Sequence, residues 1–172
     1  MRLDDLNGLD EAAATREFLR CCGSRRWAAR MAVLRPFADA TTVADAAERA
    51  FETLDRADWL EAFAAHPKIG AGQAGGAGRA GTWSAQEQAL VADGADKTLQ
   101  RLAEANRDYE ARFGYIFIVC ATGKTAAEML ALLDRRLQHD PGAELRIAAD
   151  QQQKITQLRL TRLLADDRDD NR

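Results

Sequence analysis

A chain of 172 residues fits one domain and buries roughly two-thirds of the surface it would expose unfolded, so it needs no disulfide or metal staple. Hydrophobic residues make up 47% and charged residues 30%, enough for both a core and a wetted surface. The formal charge of -3 comes from 24 basic and 27 acidic residues interspersed along the chain, without the basic excess that drives phosphate-backbone binding, which excludes nucleic acid as an expected partner.

Cys21, Cys22 and Cys120 are an odd count with none of the spacings of a zinc site or a disulfide framework, and they read as reduced thiols of an intracellular protein. The opening MRLDDLNGLDEA carries charges where a signal peptide places its apolar stretch, and no apolar run approaches the ~18 residues of a membrane span. A cytoplasmic protein with no membrane partner is expected.

Ala, Leu, Arg, Glu and Gln dominate while Val, Ile and Thr are scarce, a composition that favours helix throughout. The expected fold is all-α, a single-domain compact bundle of about eight helices over 1–165, followed by a charged, frayed tail over 166–172. In chain order, Asp10 caps a helix over 11–22 that Gly23 ends, and a second runs over 24–34 until Pro36 breaks it. Thr41 or Thr42 caps 43–54, and Asp58 caps a short helix over 59–65 that Pro67 halts, leaving His66 at a helix end.

Residues 70–81 read GAGQAGGAGRAG and offer nothing to anchor a core, so a mobile loop is expected there; of a lid, a binding loop or disorder, its position favours a lid. A long helical pattern runs from Ser84 to about Phe113. After Gly114, the run YIFIVCA suits a buried strand or a buried helix turn equally by periodicity, and helix is taken. Thr125 caps 126–138, Pro141 and Gly142 form a turn, and 144–164 is the last helix.

The chain has two histidines, and histidine is the side chain suited to proton transfer near neutral pH. His139, in LQHDPG, suits a cation at the C-terminal carbonyls of a helix. His66 has the same structural explanation, but Pro67 stiffens its backbone and biases it towards an extended conformation, which suits an imidazole that must point one way. Ser84 and Glu87 form a capping box. Together with Gln88 they also share one face of a helix start, where backbone amides can hold an anion, and the two readings are compatible.

In the last helix Arg159 and Arg162 fall within the arc of Ile155, Leu158 and Leu163. Either each arginine snorkels from the edge of the core, or one is buried and needs an anion, which a substrate carboxylate would supply if no acidic residue of the protein does. The Gly-Lys-Thr after the apolar run is no phosphate loop, because Ile118 stands where the first glycine should be. Cys120 reads as an inert core thiol, and neither histidine has a second ligand at metal spacing.

These segments together resemble the 2-oxo-4-hydroxy-4-carboxy-5-ureidoimidazoline (OHCU) decarboxylase family, which follows urate oxidation and hydroxyisourate hydrolysis on the way to allantoin. The resemblance runs through LNGLDEA, CCGSRRWAARMAVLRPF, AAHPKIG, SAQEQA, the N-x-x-Y of Asn106 and Tyr109, RFGYIFIVCATGKTAAEML and KITQLRLTRLL. It implies an all-helical, cofactor-free and metal-free homodimer acting on a small ureidoimidazoline. His66 matches the catalytic histidine, Glu87 its carboxylate, and Arg159 the arginine for the substrate carboxylate; Arg162 is not carried over. Pro67, the stretch Ser84, Ala85, Gln86, Glu87 and Gln88, and the backbone of Phe117, Ile118, Val119, Cys120 and Ala121 match substrate-binding positions. Two other functions stay open on the residues alone: a helical interaction module, and a hydrolase of a related ureide.

Overall fold

The structure, a computed structural model, describes residues 1–67 and 96–165. The described residues hold eight α-helices and no strand, as the composition predicts: α1 Leu3–Gly8, α2 Glu11–Cys21, α3 Arg25–Val33, α4 Ala40–Glu52, α5 Arg56–Ala64, α6 Asp96–Phe113, α7 Ala126–Arg136 and α8 Pro141–Ala165. The glycine-rich segment 70–81, the start of the long helical pattern at Ser84, and the tail over 166–172 lie outside the described residues.

Six of the eight helix starts follow from a side chain that meets the orphan amides of a first turn. Asp10 accepts from the Ala13 amide and Thr125 from the Glu128 amide in a reciprocal capping box, both at the predicted places, while Ser24, expected as the first residue of its helix, instead caps it by accepting from the Trp27 amide. Three starts differ from expectation because an aspartate upstream competes better. Asp39, not Thr41 or Thr42, caps α4, its carboxylate accepting from both the amide and the hydroxyl of Thr42. Asp55 caps α5, accepting from the amides of Ala57 and Asp58, and Asp58 instead reaches back to the Asp55 amide.

Asp140 accepts from the Gly142 and Ala143 amides, so Pro141 and Gly142 are not a separate turn but the opening of α8. Proline at a first helical position has the right φ, and its missing N–H would have been an orphan in any case. Helix α1 was not expected. Its six residues carry only one fully buried side chain, Leu6, too little periodicity to read.

The chain divides into two compact units. The first comprises Met1–Ala62 with α8 from Gln153 onward. Its core sets Phe18 edge-on to Trp27 and Phe37, with ring centroids 6.0 and 6.4 Å apart. The buried Trp27 indole donates to the Ala47 carbonyl at 3.1 Å, which ties α3 to α4. The Met1 ammonium donates to the Leu163 carbonyl at 2.9 Å, and the Gln157 amide to the Ala44 carbonyl at 3.0 Å, which fasten the last helix within this unit.

The second unit runs from Phe63 to Gln152. It is built around Tyr109, whose ring lies 4.6 Å from Phe113, 5.8 Å from Tyr115 and 5.2 Å from Phe117. The segment after Gly114 is not the helix expected of it. Gly114 takes a φ of +80°, a left-handed conformation open to glycine, and its amide closes α6 on the Glu110 carbonyl. The next residues form irregular backbone, with Tyr115, Phe117, Ile118 and Val119 buried. Side chains of α7 and α8 satisfy its polar groups instead of a helical ladder: the Arg136 guanidinium donates to the Ile118 carbonyl at 2.8 Å, and the Cys120 amide donates to Gln151 Oε1 at 3.0 Å.

Candidate active site

His66 stands two residues past the end of α5, its amide donating to the Phe63 carbonyl at 3.1 Å. The backbone therefore leaves the helix just where the imidazole projects, as Pro67 next in line requires. The ring is partly buried, and its Nε2 lies 2.7 Å from Oε1 of Gln152, a fully buried residue of α8. An amide oxygen only accepts, so this contact is a hydrogen bond when Nε2 carries the proton. His66 is thus oriented by a second side chain, which a simple helix cap does not need.

Gln151 and Gln152 are adjacent in α8, and they hold the two candidate segments of this unit. Gln151 takes the Cys120 amide, and Gln152 takes the His66 ring. The Phe63 ring, 5.3 Å from that of Tyr115, packs the end of α5 against the start of the same irregular segment. Phe117, Ile118 and Val119 bury their side chains in the core, so only their backbone can face a ligand; Cys120 and Ala121 are partly exposed. Cys120 is therefore less enclosed than the core thiol expected of it.

The Ile118 carbonyl is fixed from below by a buried polar cluster. Arg136 donates to Glu144 at 2.7 Å through Nε and stacks its guanidinium 4.6 Å from the Phe117 ring centroid. Tyr109 donates its hydroxyl to the same carboxylate, and His139 Nδ1 lies 2.7 Å from the other oxygen. Burial first, and then the bond to Glu144, push the Tyr109 hydroxyl well above the usual phenol range, so it stays a donor. His139 accordingly differs from the expected helix cap: its ring pairs with Glu144 instead of terminal carbonyls.

Arg159 belongs to the first unit and is 5% exposed, which removes the snorkelling explanation, since a snorkelling guanidinium reaches water. It lies close enough to Cys21 and Cys22 to lower both thiols, but burial outweighs it and pushes them up to about 12 and about 11. Both stay protonated at neutral pH and offer no thiolate to oxidants or electrophiles. Arg162 is half-buried. Ser84, Ala85, Gln86, Glu87 and Gln88 lie outside the described residues, and so does any contact of Glu87 with the imidazole. Among the described residues no group of three or more His, Cys, Asp or Glu side chains could hold a metal ion, and no helix is long and apolar enough to cross a membrane.

A model of the OHCU decarboxylase family matches residues 7–161. The chain is 39% identical over 152 residues to the uric acid degradation bifunctional protein TTL of Arabidopsis thaliana; the match takes in 87% of this chain but spans only 47% of that relative's length. It is 30% identical over 162 residues to 2-oxo-4-hydroxy-4-carboxy-5-ureidoimidazoline decarboxylase of Haloferax volcanii, covering 93% of this chain and 94% of that one. Among solved structures it is similar to an OHCU decarboxylase crystallised in the presence of (S)-allantoin, with a TM-score of 0.75, 38% identity, and 87% and 97% of the two chains covered. With the match extending from α1 to the last turns of α8, the chain belongs to the OHCU decarboxylase family of carboxy-lyases.

Proposed function

We propose that the chain decarboxylates 2-oxo-4-hydroxy-4-carboxy-5-ureidoimidazoline to (S)-allantoin, with His66 as the proton donor. The observation that carries this reading is the 38% identity to the allantoin-exposed decarboxylase over 97% of that chain, joined to a histidine oriented by a buried amide.

The chemistry needs little more than positioning. The substrate bears a carboxylate and a hydroxyl on one carbon beside a ring C=N. When the carbon–carboxylate bond breaks, carbon dioxide leaves and its bonding pair moves into that C=N. No pyridoxal, thiamine or metal is then needed as an electron sink, and the reading is cofactor-free. The enol-like intermediate takes a proton on one face of the carbon, which sets the handedness. In this account the imidazolium of His66 supplies that proton and ends neutral, to be reprotonated from water.

Arg159 holds the substrate carboxylate as a charge-assisted fork, and Glu87 orients His66 or binds the ureido nitrogens. Pro67, the Ser84 to Gln88 stretch and the backbone from Phe117 to Ala121 line the substrate. The Cys120 amide is already committed to Gln151, so this binding falls to other backbone groups of the segment. The same reading carries a cytoplasmic homodimer.

Product analysis tests the reaction type: one carbon dioxide per allantoin is expected, unchanged after exhaustive chelation. Ammonia or a ring-opened product would instead favour the ureide hydrolase, and loss of activity on chelation would end the cofactor-free reading. Arg159→Ala is expected to lower kcat/KM by roughly 10- to 100-fold, as loss of a charge-assisted contact implies. An unchanged kcat/KM would remove Arg159 from substrate capture.

A further inference from the structure

We infer that Gln151 is a positioning residue for substrate binding, fixing the peptide plane that presents the Val119 carbonyl to the ligand. The assignment rests on the proposed role of the backbone from Phe117 to Ala121 in lining the substrate. Gln151 Oε1 accepts from the Cys120 amide at 3.0 Å, and on the other side of Val119 the Arg136 guanidinium donates to the Ile118 carbonyl at 2.8 Å. Both peptide bonds that meet at Val119 are trans. In a trans peptide plane the N–H and the C=O point in opposite directions. The bond to Gln151 therefore turns the Val119 carbonyl away from that side chain, and the bond to Arg136 turns the Val119 N–H away from the buried cluster.

Neither anchor uses these two Val119 groups. They are one acceptor and one donor on adjoining planes, the complement of a urea, whose N–H donates and whose C=O accepts. The proposed substrate carries that chemistry twice, in its 2-oxo ring and in its ureido arm. The anchors differ in their own support. Arg136 is held by the fully buried Glu144 and by stacking on Phe117, so the plane before Val119 is fixed from the core. The plane after it is fixed by Gln151, a partly buried side chain of α8. Peptide dipoles that are already aimed bind without reorganising, and a plane that can swing loses that advantage.

The test uses purified full-length variants, amide NMR during titration with (S)-allantoin, and steady-state kinetics on freshly generated substrate. In the wild type, (S)-allantoin is expected to shift backbone signals within residues 117–121. Gln151→Ala should remove the protection of the Cys120 amide from hydrogen exchange. It should also weaken (S)-allantoin binding and raise KM, each by roughly 3- to 10-fold with kcat changed less than about twofold, as loss of one hydrogen bond implies. Gln151→Met, of similar length but without a strong acceptor, should do the same, which separates the bond from the packing and serves if the alanine variant folds poorly. Gln151→Glu keeps the acceptor and nearly the same shape, and (S)-allantoin is uncharged, so its affinity should stay within about twofold of wild type. Wild-type affinity and KM in folded Gln151→Ala or Gln151→Met would overturn the inference and leave the lining role of the segment intact, as would an equal loss of affinity in Gln151→Glu. The absence of any (S)-allantoin shift within 117–121 of the wild type would overturn that lining role instead.

Discussion

His66→Asn is expected to lower kcat by about 100- to 10,000-fold, the usual contribution of a positioned general acid, while binding of a product-like ligand and thermal stability stay near wild type. The reason for the separation lies in where the residue sits. His66 is outside α5 and only partly buried, so its removal leaves no large cavity. Spontaneous loss of carbon dioxide from the substrate would still proceed, but the intermediate would be protonated from solvent on either face. The variant is therefore expected to lose handedness as well as rate. Turnover near wild type, with one enantiomer formed, would show that another group delivers the proton.

The second large effect concerns stability. Glu144 is fully buried and accepts from Arg136 and Tyr109, with the His139 ring beside it, while the Arg136 side chain is 7% exposed. Removing one partner of such a pair leaves an uncompensated buried charge, and Glu144→Ala is expected to cost about 3–5 kcal/mol. Against the 5–15 kcal/mol typical of a whole domain this is a large fraction, and it should lower the urea midpoint by more than about 1 M. Replacing both charges, in Arg136→Met with Glu144→Leu, should recover part of that loss, because no orphaned charge remains. A single variant within 1 kcal/mol of wild type would show that water or another group meets the guanidinium. The cluster also bears on function, since the same guanidinium fixes the Ile118 carbonyl of the irregular segment.

The helical fold was legible because its signals are local. Asp10, Ser24 and Thr125 act as caps within three residues of themselves, and composition leaves few positions that favour strand. The caps misread at Thr41, Asp58 and the Pro141 turn were each displaced by an aspartate that local pattern did not rank above its neighbours. The irregular segment was illegible for a different reason. YIFIVCA has the apolarity of a buried element, but its hydrogen bonds go to Arg136 and Gln151, far along the chain, and no periodicity reports a long-range partner.

The site divides along the same line. His66 stood out by residue type and by Pro67. Gln152 did not, hidden in a run of three glutamines whose members differ only in the direction they face. A step back of two helical turns from Arg159 reaches it, a signal that becomes useful once the register of α8 is known. Arg159 was ambiguous between snorkelling and burial until its exposure was known.

The most direct test of the central claim follows circular dichroism as the purified chain meets its substrate, generated freshly from urate by urate oxidation and hydroxyisourate hydrolysis. The account predicts rapid growth of the (S)-allantoin signal well above the spontaneous rate, and no such growth with His66→Asn. Racemic allantoin appearing at the spontaneous rate with the wild-type chain would contradict it.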